Sequence, residues 1–130
     1  MLCYALFRND PRLVAVRAGT PVFVEGDSPG LMYVLTVGKA RILVGGQEVE
    51  RLHLGDFAGE MSLVERVPHS ATVEAVTDCE FAVVDEKRFD FLVTETPGFA
   101  IDIMRVLAHR LRNTHLPGSP GAAAHSTERV

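Results

Sequence analysis

Between Leu13 and Asp85 the chain is a series of short runs rich in β-branched and aromatic residues, each followed by a turn-forming cluster. The predicted strands span residues 13–18, 22–24, 31–37, 41–44, 47–54, 72–76 and 81–84. Within residues 47–54 the alternation of apolar and polar residues slips once. Strands at this spacing, without long helices between them, indicate an antiparallel sandwich or jelly roll and not a parallel α/β sheet.

Three segments have helical patterns instead. Residues 59–66 contain good helix formers, and Pro68 blocks their continuation. Residues 86–96 predict a short helix that ends at Pro97-Gly98, and residues 99–114 predict a longer amphipathic helix. The apolar stripe of the longer helix predicts core packing or a dimer seam, and its members are Ile103, Met104, Leu107, Ala108 and Leu111. We therefore expect an N-terminal segment (1–12), one folded domain (13–114) and a flexible tail (115–130).

Size and charge exclude several classes of function. A chain of 130 residues fits one domain with one core. Its net charge of −4 leaves no positive surplus for a nucleic-acid backbone, so we expect no nucleic-acid partner. The two cysteines, Cys3 and Cys79, are far apart and predict neither a disulfide framework nor a thiolate metal site. The first seven residues are too short for a signal or membrane-spanning helix, so we expect a cytoplasmic protein without a membrane partner.

Residues 55–73, GDFAGEMSLVERVPHSATV, are the strongest candidate for a binding site. Gly59 and Glu60 stand where the short helix is predicted to begin, and a helix start offers unpaired N–H groups that suit an anionic ligand group. The carboxylate of Glu60 could accept hydrogen bonds from sugar hydroxyls. A Ser-Ala-Thr-Val strand entry follows a few residues later. The segment therefore predicts a site for a ligand with an anionic group and a sugar.

The order and spacing of these motifs resemble the cyclic-nucleotide-binding domain family, of the catabolite activator protein type. The resemblance implies a mainly β, antiparallel jelly-roll barrel with a short cassette helix and two C-terminal helices. It also implies that Glu60 accepts hydrogen bonds from the ribose 2′-hydroxyl, and that the backbone of Gly59, Glu60 and Met61 lines the sugar and phosphate. Ser70 and the amide of Ala71 would bind the exocyclic phosphate oxygens. The implied ligand is cAMP or cGMP, with no other cofactor.

One residue departs from the family pattern. The arginine that normally contacts the phosphate falls on His69. A hydrogen bond to a charged group contributes about 1.5–3 kcal/mol, so its loss weakens binding roughly ten- to a hundredfold. A nearby phosphate would favour the imidazolium form of His69. The sequence thus predicts a regulatory domain that senses a cyclic nucleotide with weakened or altered, pH-dependent affinity.

Structural interpretations of the same residues remain open. Glu60 could be an acid favoured by the helix dipole alone, His69 a solvated turn residue, and Ser70 a partner of a local backbone group. The protein would then be a degenerate scaffold that binds no nucleotide. Such a scaffold would act through protein–protein contacts, with an unidentified partner or as a homodimer through its C-terminal helix.

Enzymatic functions have less support. A cupin-type metal site needs an H-x-H pair, and no second histidine lies two residues from His53. The chain has no Gly-x-Ser-x-Gly elbow for nucleophilic catalysis. Without a catalytic or metal motif, we expect a non-enzymatic protein. No helix-turn-helix pattern follows the long helix, so any regulation would act through a partner or through self-association.

Overall fold

The computed structural model describes residues 2–113, with side chains from residue 4 onward. The strands form a sandwich of two four-stranded antiparallel sheets. One sheet contains β1 (Leu13–Val16), β3 (Leu31–Val37), β6 (Phe57–Ala58) and β8 (Cys79–Asp85), in the order β1-β8-β3-β6. The other contains β2 (Pro21–Phe23), β4 (Ala40–Val44), β5 (Gln47–Leu52) and β7 (Thr72–Ala75), in the order β2-β7-β4-β5. The predicted antiparallel jelly roll is confirmed, as two packed sheets and not as a closed barrel.

The core lies between the two sheets because the strands alternate inward and outward side chains. Phe23 and Val73 reach it from one sheet, and Leu35 and Phe81 reach it from the other. Val73, Leu35 and Phe81 are completely buried. Residues 55–73 connect the two sheets, because β6 belongs to the first and β7 to the second.

Strand β6 was not predicted, and the ends of several predicted strands differ: β1 ends at Val16 instead of residue 18, and β8 spans Cys79–Asp85 instead of residues 81–84. The pair Phe57–Ala58 forms β6 against Tyr33 and Val34 of β3, and two residues are too short to show a period. β5 ends at Leu52 instead of residue 54, because a turn begins at His53, whose N–H donates to Asp56 Oδ2 over 2.8 Å.

The strand β5 contains a β-bulge. Ile42 of β4 faces Glu50, whereas the next residue, Leu43, faces Glu48. Val49 is therefore the extra residue and is 61% exposed. The slip in the predicted alternation, the consecutive polar residues Glu50 and Arg51, lies outside the bulge, because these two residues pair with Ile42 and Arg41 in regular register.

The four helices are α1 (Leu2–Phe7), α2 (Glu60–Glu65), α3 (Glu86–Glu95) and α4 (Pro97–Asn113). The prediction that Pro97-Gly98 lies between two helices was wrong, because both residues belong to the first turn of α4. Proline is tolerated there, where its missing N–H would have no intrahelical acceptor. No described helix combines the length and apolarity that crossing a bilayer requires. The predicted tail, residues 115–130, lies outside the described residues.

The chain divides into two compact units between residues 91 and 92. In the second unit, Phe99 and Ile103 of α4 are buried. Met104 and Leu111 are 56% and 47% exposed. Core packing therefore accounts for Ile103 but not for the whole predicted stripe, and the dimer seam stays a prediction.

Candidate functional site

Gly59 connects β6 to α2 in a backbone conformation that suits glycine. Its φ is +89°, in the left-handed region, and it occupies the N-cap position without a side-chain cap. A Cβ at this position would lie 2.7 Å from the carbonyl oxygen of Leu31 and 3.1 Å from Cε1 of His69. Both the dihedral angle and the close approach therefore require glycine.

Glu60 is the first residue of α2 and is buried, with 5% of its surface exposed. A carboxylate in the first turn is favoured by the helix dipole, but such residues are ordinarily solvated at the surface. The burial of Glu60 thus sets it apart from an ordinary acid at the start of a helix. The next residue, Met61, is 45% exposed, so its side chain faces outward while its backbone continues the turn.

Ser62 fixes the cassette helix to the turn between β2 and β3. Its side chain is 2% exposed, and its Oγ accepts a hydrogen bond from the N–H of Gly30 over 3.0 Å. Sequence reasoning assigned Ser62 no role. The available signal was a small hydroxyl residue inside a helical run, which often bonds to backbone.

His69 is also buried, at 5% exposed. Its ring stacks on Phe23, with the centroids 3.8 Å apart and the planes 23° from parallel. Its backbone is paired with the turn after β2: the N–H of Gly26 donates to the His69 carbonyl over 2.8 Å, and the His69 N–H donates to the Asp27 carbonyl over 3.1 Å. The interpretation of His69 as a solvated turn residue was therefore wrong.

The environment of His69 disfavours its charged form. Burial lowers the pKa of the imidazole below its usual value, and the carboxylate of Asp27 opposes this shift only in part. The same two causes raise the pKa of Tyr33. His69 is therefore largely neutral at pH 7 in the structure, and an anion beside it would have to raise its pKa to obtain an imidazolium.

Phe23 joins His69 to a larger aromatic cluster. Its ring centroid lies 5.5 Å from that of Tyr33, which in turn meets Phe81 edge-on at 6.3 Å. The sequence indicated only that Phe23 belongs to a predicted strand, residues 22–24. Its contact with His69 spans 46 positions of the chain and has no local signal.

The remaining predicted site residues lie beside this cluster. Ser70 is exposed, and Ala71 is half-buried against the core. The structure thus brings Gly59 and His69 into contact, with the buried Glu60 directly after Gly59 and Ser70 directly after His69. The part these six residues take in binding stays a prediction.

Metal chemistry has no ligand set in the described part of the chain. Within residues 4–113 no three His, Cys, Asp or Glu side chains are grouped so that they could hold a metal ion. His53, the candidate for a cupin-type site, is exposed, whereas Glu60 is buried. Cys79 is a buried free thiol whose pKa is raised by burial, which does not favour a reactive thiolate.

Comparison with protein-family models identifies the chain. The model of the cyclic nucleotide-binding domain matches residues 13–96, from the start of β1 to the end of α3. The chain belongs to this family. The match includes both halves of the cassette, so the resemblance inferred from residues 55–73 is confirmed.

Individual relatives agree with this membership. The cyclic nucleotide-binding domain described here is 34% identical over 103 residues to the cyclic AMP receptor protein of Thermus thermophilus. The aligned residues make up 75% of this chain and 48% of that protein. It is 41% identical over 59 residues to a cGMP-dependent protein kinase of Toxoplasma gondii, which covers 45% of this chain and 6% of the kinase.

A solved structure shows the same fold. The catabolite activator protein of Thermus thermophilus superposes with a TM-score of 0.72 at 30% identity, over 87% of this chain and 54% of that one. The chain thus spans about half the length of these bacterial relatives and a small part of the kinase.

Proposed function

We propose that this chain is a regulatory domain that binds a cyclic nucleotide, cAMP or cGMP, at Gly59, Glu60 and His69. The observation that carries the proposal is that a buried carboxylate directly follows Gly59 in the chain and a buried imidazole lies against Gly59, within a segment that matches the family. In the proposed complex, the carboxylate would accept a hydrogen bond from a sugar hydroxyl and the imidazole would lie beside the phosphate.

The other contacts follow from the backbone and the exposed rim. Glu60 would accept hydrogen bonds from the ribose 2′-hydroxyl, while the backbone of Gly59 and Met61 lies along the sugar. Ser70 is exposed and can turn its hydroxyl toward an exocyclic phosphate oxygen, beside the amide of Ala71. A cyclic diester carries one negative charge, which these neutral donors would solvate only in part.

His69 sets the strength of this binding. Its Cε1 lies 3.1 Å from the position that a Cβ on Gly59 would occupy, so the imidazole ring adjoins the cassette. A neutral imidazole provides one N–H donor but neither the charge nor the fork of a guanidinium. We therefore expect affinity roughly ten- to a hundredfold below that of an arginine in this position. Protonation of His69 below neutral pH should recover part of the difference.

Calorimetric titration with cAMP and with cGMP at pH 6 and pH 8 tests the proposal. We expect tighter binding at pH 6, and His69→Arg should tighten binding at pH 8 by about tenfold or more. His53→Arg adds the same charge at an exposed position outside the site and is the matched control. No heat with either nucleotide at millimolar concentration, at both pH values, would contradict the proposal.

A second candidate is a degenerate scaffold that acts through protein–protein contacts. The observation in its favour is that His69 is buried and carries no stabilised charge for a phosphate. Exposed apolar residues of α4, among them Ile101, Met104 and Leu111, would suit a partner or a second copy. His69→Arg separates the two functions: binding that appears only in this variant favours the scaffold.

A further inference from the structure

An apolar groove opens between the two sheets at their β1 and β2 edges. It has a volume of about 630 Å³. Its walls are mainly aliphatic, with Val14, Val16, Val22, Leu31 and Val83, and Tyr33 of the aromatic cluster adds a ring to them. The groove does not include the cassette, because Gly59, Glu60 and His69 do not line it.

The strand order explains why the groove stays open. β1 and β2 follow each other in the chain but belong to different sheets, so no ladder of hydrogen bonds joins their edges. Val14 and Val16 pair with Phe81 and Cys79, and so they face the interior with those core residues. Valine is too short to span the distance between the two sheets, which pack about 10 Å apart. The interior is therefore filled in the middle of the sandwich and left accessible at this side.

One end of the groove is polar and held in place. Arg17 and Thr20 line it from the turn that joins β1 to β2. Two hydrogen bonds join this turn to the end of β7. The N–H of Gly19 donates to the Ala75 carbonyl over 2.8 Å, and the Ala75 N–H donates to the Thr20 carbonyl over 3.0 Å.

Arg17 is the only charged residue among the described residues that line the groove. It is exposed, and within residues 4–113 no carboxylate forms an ion pair with it. An available guanidinium at the mouth of an aliphatic groove is complementary to an anion with an apolar body.

We propose that this groove binds a small amphipathic carboxylate, with its hydrocarbon chain between the sheets and its carboxylate on Arg17. Aliphatic walls with few polar groups are typical of small-molecule sites of this volume. A guanidinium binds a carboxylate through two parallel hydrogen bonds, which fixes the direction in which the chain enters. A peptide strand fits less well, because β1 offers an edge of only four residues and the cavity runs between the sheets. The proposal does not depend on nucleotide binding at the cassette.

Decanoate, below its micelle concentration, is the probe. Titrated into the ¹⁵N-labelled full chain, it should cause saturable shifts of amide signals from residues 13–23 and from residue 83. Arg17→Gln should weaken binding by about tenfold, since a charge-assisted contact is lost. Arg12→Gln removes an exposed arginine outside the groove and should leave the affinity unchanged. Val14→Trp, at a position that is 42% exposed, should fill the groove and abolish the shifts.

Several outcomes would overturn the proposal. If the unmodified protein and Arg17→Gln bind decanoate with equal affinity, the proposed contact between the carboxylate and Arg17 is refuted. Equal affinity of the unmodified protein for decanoate and for 1-decanol would refute it as well. Shifts confined to α4 would place the probe elsewhere. Shifts at β1 that depend on protein concentration without decanoate would identify a second copy of the chain as the occupant. Displacement of decanoate by cAMP would merge the groove with the nucleotide site, whereas cAMP binding without displacement supports two separate sites.

Discussion

Replacement of Gly59 by alanine tests the geometry on which the candidate site rests. The left-handed conformation at φ +89° costs a residue with a Cβ about 1–2 kcal/mol. The new Cβ would also lie 2.7 Å from the Leu31 carbonyl oxygen, a backbone atom that cannot rotate away. Forcing a methyl group into such a contact costs about 1–3 kcal/mol. We therefore expect Gly59→Ala to lower the free energy of unfolding by about 2–5 kcal/mol.

Gly46→Ala is the matched control for this experiment. Gly46 has a similar φ of +81°, and a Cβ there would meet no atom within 4 Å. Its variant should lose only the conformational part, about 1–2 kcal/mol. Urea denaturation of both variants in the same buffer measures the difference. If Gly59→Ala costs no more than Gly46→Ala, the close approach of Leu31 and His69 to the cassette is refuted.

Three further predictions concern charge and buried polar groups. Burial lowers the pKa of His69, so the folded state binds fewer protons than the unfolded state and the free energy of unfolding should rise with pH up to about 6.5. His69→Phe should flatten this slope in urea denaturation measured from pH 5 to 7.5. An unchanged slope would contradict the lowered pKa of His69. Ser62→Ala leaves the N–H of Gly30 without its acceptor and should lower the free energy of unfolding, measured in urea, by about 1–3 kcal/mol. An unchanged free energy of unfolding would mean that water replaces the hydroxyl. The carboxylate of Asp10 is 5% exposed and makes two contacts with the guanidinium of Arg88, so Asp10→Asn should lower the midpoint of thermal unfolding. Asp90→Asn removes a carboxylate at an exposed position and is the control, which should leave the midpoint unchanged.

The sheets could be predicted because their signals are local. Turn clusters separate the runs, and alternation assigns each side chain to a face, so the strands were placed within a few residues. β6 could not be found in this way, because two residues paired with β3 carry no periodic signal of their own. The start of α4 was missed because Pro97 ends one helix pattern and is equally compatible with the first turn of the next.

The candidate site was only partly accessible to the same reasoning. Gly59 and Glu60 were found because a glycine before a helix start and an acid in its first turn are local features. The burial of His69 depends on Phe23 and on the Gly26–Asp27 turn, which are more than 40 positions away in the sequence. No pattern in residues 55–73 distinguishes a buried imidazole from a solvated one. Ser62 was missed for the same reason, since its partner Gly30 lies 32 positions earlier.

The burial of His69 bears on how a histidine and an arginine at this position would differ in the free energy of the ligand-free protein. An arginine could occupy the same place, because a guanidinium also stacks on an aromatic ring such as Phe23. In the absence of a ligand, however, it would be a charge at a position where His69 is 5% exposed, with Asp27 as the nearby acid that acts on this site. A neutral imidazole avoids that cost. In the proposed nucleotide site, histidine would therefore lower the free-energy difference between the unbound and the bound state, and it would make that difference depend on proton uptake.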